Sequence, residues 1–119
     1  MELYKLFDAE YKFACLVWEH EPINSTELVK LSQTTLGWKK STTYTVLRKL
    51  CQRGILSNEE SLVTAVVKKA DAQKHESQTV VAKAFGGSLP QFLTAFLGDK
   101  KLSAQESEEL KRIIEEATQ

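Results

Sequence analysis

The sequence predicts a mainly α-helical chain: a winged helix-turn-helix with a small β-hairpin wing, followed by a C-terminal helical dimerisation segment. Three observations predict it. Two helical patterns flank a glycine turn between residues 24 and 54, a β-branched run follows at 63–67, and amphipathic helices close the chain. A length of 119 residues suits one compact domain, or a small domain with a dependent appendage. The expected division is a winged-helix domain at 1–70 and a helical segment at 71–119.

Asp8 stands as an N-cap for a first helix whose apolar residues Tyr11, Ala14, Cys15 and Trp18 recur at helical spacing. Pro22 ends it, because the residue before a proline is pushed out of the α region. Ile23 follows, and Asn24 with Glu27 three residues on has the pattern of a capping box. The second helix runs through Leu28, Val29 and Leu31 to about Thr34; Gly37 supplies a turn that Trp38 anchors in the core.

A third helix is expected from near Ser41 to Gly54, a residue suited to the position after a helix end. Thr43, Val46, Leu47, Leu50 and Cys51 form its inward stripe. Ser41, Tyr44, Thr45, Arg48 and Gln52 share the other side. Helix, turn, helix is the order that a helix-turn-helix needs.

Beyond Ile55-Leu56, the polar residues Ser57 to Ser61 read as a loop and Val63 to Val67 as a strand. Leu56 begins an opposing strand of a hairpin wing, although no Asn-Gly or Asp-Gly turn marks it. From Asp71 the pattern is helical again, weakly periodic over 72–85 and closed by Gly86-Gly87. Ser88 with Gln91 and Ser103 with Glu106 repeat the capping-box pattern, and Pro90 is tolerated in a first turn.

The bulk properties narrow the class. With 42% hydrophobic and 27% charged residues, the composition is that of an ordinary soluble globular protein. No apolar run approaches a bilayer span, so no membrane insertion is expected. Met1 to Lys5 lack a basic region leading into an apolar stretch, and the expected compartment is the cytoplasm. Cys15 and Cys51 have no second ligand at metal spacing and fall at apolar helix positions, where cysteine behaves as a small hydrophobe. His20 and His75 are isolated, and no phosphate-binding glycine loop, paired-cysteine motif or His-Glu-x-x-His helix occurs. No metal, no cofactor and no enzymatic activity are expected.

The formal net charge is zero, yet its distribution is uneven. Trp38 to Gly54 holds Lys39, Lys40, Arg48, Lys49 and Arg53 and no acid. Residues 1–37 hold three lysines against six acids, and 99–119 four basic residues against six acids. A neutral total thus conceals a positive helix face, and the local field is what phosphates meet. Double-stranded DNA is the partner this pattern points to. Ser41, Thr42, Tyr44 and Thr45 lie at the N-terminal end of the third helix, the end that enters a major groove deepest. Arg48 is placed for a bidentate guanine contact or for a phosphate; Lys39, Lys40, Lys49 and Arg53 suit phosphates. Packing and helix capping are the plainer roles for Thr42 and Thr45, and a protein contact for Tyr44.

Two apolar stripes remain after the core is assigned to residues 7–67. Leu89, Phe92, Leu93, Phe96 and Leu97 form one; Leu110, Ile113 and Ile114 form the other. Burying each such side chain stabilises by roughly 1.5 to 3 kcal/mol, so a wet stripe is disfavoured. Folding back onto the chain's own domain would cover them. A two-fold homodimer does so more economically, because one stripe can cover its own copy.

These residues resemble the penicillinase-repressor family (BlaI/MecI type), with the copper-responsive repressors as relatives. The resemblance is carried by Asp8-Ala9-Glu10-Tyr11, Val17-Trp18-Glu19-His20 and Ile23-Asn24-Ser25-Thr26-Glu27-Leu28. It continues through Trp38, the pattern Thr42, Thr45, Val46, Leu47, Lys49, Leu50 up to Gly54, then Phe96-Leu97, Leu102-Ser103 and Glu106 to Leu110. What it implies is a winged-helix repressor that dimerises through its C-terminal helices on an inverted-repeat operator of resistance or stress genes. It also implies release by proteolysis at Ala95-Phe96, triggered through a membrane sensor-transducer protease. The chain departs from the family in having Ala95 where cleaved members have asparagine. It also has a shorter wing without the family's Gly-Arg tip between Ser61 and Val63, and it has no terminal cysteine pairs of the copper-responsive kind. The alternative reading is a winged-helix protein-interaction module that does not bind DNA.

Overall fold

The computed structural model describes residues 5–119. Met1 to Tyr4, on which most of the export reading rests, lie outside the described residues. Six helices and one three-stranded antiparallel sheet follow one another, a mainly α winged-helix architecture as the sequence predicts. They form two compact units, the first ending at Val80 and the second comprising Val81–Gln119, so the division falls inside a helix.

Helix α1 spans Asp8–His20. The sequence expects Asp8 as its cap, but Phe7 holds the N-cap position, and the Glu10 carboxylate accepts from the Phe7 N–H at 3.0 Å. Asp8 becomes the first helical residue, where its charge meets the positive end of the helix dipole. Glu21 has the extended backbone that Pro22 demands, and the helix stops there. The buried face is Phe13, Ala14, Leu16 and Val17, while Tyr11, Cys15 and Trp18 form a half-buried flank. The expected stripe is therefore rotated, because α1 packs against both a helix and the sheet and buries a wider arc.

Strand β1, Ile23–Asn24, is too short to leave a period in the sequence. Helix α2, Ser25–Leu36, is capped by Asn24, whose side chain accepts from the Thr26 N–H at 2.8 Å. Glu27 does not close the expected box; it pairs with Lys30 at 3.7 Å on an exposed face. Gly37 has φ 71°, and its N–H returns to the Gln33 carbonyl, a left-handed helix end that a side chain would strain. The Trp38 ring then stacks on Phe13 with centroids 5.4 Å apart, pinning the turn to the core.

Helix α3, Lys40–Gln52, leads to the wing strands β2, Leu56–Glu59, and β3, Leu62–Ala65. The sheet order is β1-β3-β2. Residues 57–59, expected as loop, are strand. Glu59 pairs with Leu62, and Glu60 and Ser61 close the hairpin with φ 51° and 69°. Two positive φ values mark a type I′ turn, usually written Asn-Gly, so the ordinary turn signal is missing. At the other end β3 stops at Ala65, because the Val66 and Val67 N–H groups both turn to the Ile55 carbonyl. The Val67 carbonyl accepts from Trp18 Nε1 at 3.0 Å.

Helix α4, Lys69–Phe85, begins two residues before the expected Asp71 and buries Ala72 in the first unit. Phe13, Leu28, Leu47, Leu50, Ile55, Leu56 and Val63 are the heart of that core. In the second unit, Ser88 caps α5, Leu89–Leu97, by accepting from the Gln91 N–H. Ser103 and Glu106 form the expected reciprocal box ahead of α6, Ala104–Thr118. No single helix among the described residues is long and apolar enough to cross a membrane.

Candidate nucleic-acid interface

Helix α3 is fixed from below by Thr43, Leu47 and Leu50, all buried. Thr43 satisfies its hydroxyl by donating to the Lys39 carbonyl at 3.2 Å, a bond within the helix that lets a polar residue sit in the core. On the opposite side Ser41, Thr45, Arg48 and Gln52 are exposed, at the 3- and 4-residue steps that align side chains. Lys39, Lys40 and Thr42 are exposed at the N-terminal end, and no acid occupies the first turn. Two lysines therefore add to the positive end of the helix dipole, an arrangement that attracts anions.

The two flanks of α3 differ. Tyr44 is half-buried, and its hydroxyl donates to Ser25 Oγ at 3.4 Å, tying α3 to the start of α2. Tyr44, Leu47, Arg48 and Cys51 line a cleft with Asn58 of β2, so the wing flanks the Arg48 side of the helix. Burial pushes the Cys51 thiol up, which keeps it protonated and inert. On the other flank the cations meet a carboxylate. Lys49 Nζ lies 3.1 Å from Glu10 Oε2, and Arg53 donates to Glu10 Oε1 at 3.2 Å and to the Lys5 carbonyl.

Glu10 is the residue that sequence reasoning missed. Only 7% of its side chain is exposed. Burial by itself would raise its pKa. The Phe7 N–H, Lys49 and Arg53 outweigh that and hold the carboxyl below its ordinary value. The available signal was its place three residues before Phe13 on the buried side of α1, since a buried carboxylate needs a cation. Of the nine residues expected to meet DNA, the structure gathers Lys39, Lys40, Ser41, Thr42, Thr45 and Arg48 on exposed surface. Tyr44 is half-buried and bonded to Ser25; Lys49 is also exposed but pairs with Glu10, as does the half-buried Arg53.

The second unit has the opposite character. None of the residues of α5 or α6 is buried. Leu89, Phe96, Ile113 and Ile114 are exposed, and Phe92, Leu93, Leu97 and Leu110 are half-buried. Phe92 bridges Phe85 and Phe96 with ring centroids 5.5 and 5.8 Å away, a ladder open on one side. The Ala95–Phe96 bond lies exposed within α5, so a protease must first unwind the last turn of that helix to reach it. Among the described residues no three His, Cys, Asp or Glu side chains converge as a metal site requires.

The profile of the penicillinase-repressor family matches residues 6–116. The chain is 28% identical over 116 residues to the penicillinase repressor of Bacillus licheniformis, covering 94% of this chain and 91% of that protein. It is 21% identical over 115 residues to the methicillin resistance regulatory protein MecI of Staphylococcus aureus (strain Mu50 / ATCC 700699), covering 93% and 94%. A 16.5 kDa protein in the ptsI 3′ region of Latilactobacillus sakei is 26% identical over 110 residues, covering 89% and 75%. With the family profile matching residues 6–116 and a winged helix whose third helix presents an acid-free outer face, the chain belongs to the penicillinase-repressor family.

Proposed function

We propose that the chain acts as a homodimer that lays one copy of α3 in each of two successive major grooves of an inverted-repeat operator. Its place in a repressor family makes it a transcriptional regulator and not an enzyme; the operator geometry and the dimer are the inference. The observation that carries it is the outward face of α3 with its N-cap, where Lys39, Lys40 and Arg48 have no ion-pair partner among the described residues, hydroxyls line the N-terminal end and no acid occurs. Phosphates are met by Lys39 and Lys40, base edges by Ser41, Thr42 and Thr45, and Arg48 stands where either is in reach. The names of the relatives, a penicillinase repressor and a methicillin resistance regulator, make resistance or stress genes the class of target.

Geometry also sets the magnitude. With Lys49 and Arg53 held by Glu10, three cations per protomer are left for phosphates, six per dimer. Affinity then falls by about three decades between roughly 50 and 200 mM salt. The discriminating experiment compares Arg48→Ala with Lys49→Ala in gel-shift titrations on a duplex selected from a random pool. Arg48→Ala is expected to lose about tenfold or more, and Lys49→Ala much less. Equal losses would return Lys49 to the interface. No retention of any duplex at low salt would favour the protein-interaction module, for which the neutral net charge also speaks.

A further inference from the structure

We propose that the wing is an electrostatic brake, holding DNA off where a wing usually grips it; the inference rests on the DNA-binding reading above. From Ile55 to Val67 the chain has no lysine or arginine, and its two charges are Glu59 and Glu60. Both are exposed at the hairpin turn, and neither has an ion-pair partner among the described residues.

Their position gives these charges a role. Asn58 lines one cleft with Tyr44 and Arg48, so β2 runs beside the outward face of α3. Glu59 and Glu60 follow Asn58 directly. At about 3.4 Å per strand residue they stand within roughly 7 Å of it along the hairpin. That is inside the Debye length of about 8 Å at physiological salt. A duplex seated on Arg48 therefore sits in the field of two carboxylates, with its own backbone carrying one negative charge per about 1.7 Å. The repulsion is the same for every sequence, whereas hydrogen bonds from Ser41, Thr42 and Thr45 are not. The wing therefore subtracts from sequence-independent binding and leaves discrimination to α3. Glu59 pairs with Leu62 across a two-residue loop, so the backbone carrying the two glutamates is held at the end of the ladder.

The test uses the full chain, its Glu59→Gln/Glu60→Gln variant and its Glu59→Lys/Glu60→Lys variant. Each is titrated by fluorescence anisotropy against a mixed-sequence duplex at about 50 and 200 mM salt. Thermal unfolding of each variant confirms that the exposed substitutions leave the fold intact. The glutamine pair is expected to tighten binding several-fold at the lower salt, with the gain shrinking at the higher. The lysine pair is expected to tighten it further and to steepen the salt slope by about 0.9 for each new phosphate contact. Unchanged affinity of the glutamine pair at both salts would place the wing clear of the duplex and overturn the brake. Weaker binding would overturn it differently, making the carboxylates acceptors for base-edge amino groups such as cytosine N4. If the unmodified chain binds no duplex at all, the DNA reading itself fails, a result distinct from either.

Discussion

The two units of the chain spend their apolar residues in opposite ways. In the first, Phe13, Val17, Leu28, Leu50 and Val63 are wholly out of water, and the exposed surface of α3 is polar. In the second, α5 and α6 are well capped and strongly amphipathic, yet no side chain of either is buried. Good helix ends and a good stripe are local properties; a closed core is not. The first unit has enough elements to shut its core by itself, whereas the second leaves its apolar stripes uncovered.

That contrast can be broken at either end. The largest effect is expected from Ile113→Glu/Ile114→Glu, side chains now 60% and 56% exposed. In the proposed homodimer, four such side chains would contribute about 5 kcal/mol, nearly four decades in the dimer dissociation constant. Sedimentation velocity should report a monomer with its far-UV helicity largely kept. Phe13→Ala strikes the closed core instead. It removes a fully buried ring stacked on Trp38 and is expected to cost about 4 kcal/mol in urea unfolding while leaving α5 and α6 intact.

A smaller effect belongs to the tie between α1 and α3. Glu10→Ala is expected to cost roughly 2 kcal/mol, less than for a fully buried pair because Lys49 is 56% exposed and screened by water. The pH dependence carries the signature. Glu10 titrates lower folded than unfolded, so its contribution is full above the unfolded value of about 4.3 and is lost as pH falls through the folded one. Glu10→Ala should therefore lose part of the acid slope seen in pH-dependent unfolding. The smallest effect is at the wing. Ser61→Gly relieves a left-handed residue and should stabilise by about 0.5 to 1 kcal/mol in thermal melts.

Much of the first unit was legible because its signals are local. The helix, Gly37 turn and helix order follows from period and one φ-permissive residue, and the Ser103–Glu106 box closes as written. What escaped depends on partners distant in sequence. The pairing of Lys49 and Arg53 with Glu10 has no local signal, because their charge is visible in the sequence and their counter-ion, about forty residues earlier, is not. The Ile23–Asn24 strand has no period of its own and exists only by pairing with β3. The wing was misjudged at residues 57–59 because Glu60 and Ser61 make a type I′ turn without the glycine that announces one. The N-cap falls at Phe7 and not at Asp8 for a related reason: the Glu10 carboxylate supplies the cap from inside the helix.

All of this converges on whether the open stripe of α5 and α6 is covered by its own copy. Sedimentation equilibrium of the unmodified chain, at micromolar concentration and moderate salt, reads that directly. The mass of two chains, unchanged on dilution toward the nanomolar range, is the expected result. One chain's mass throughout the range, with the first unit still folded, would contradict it.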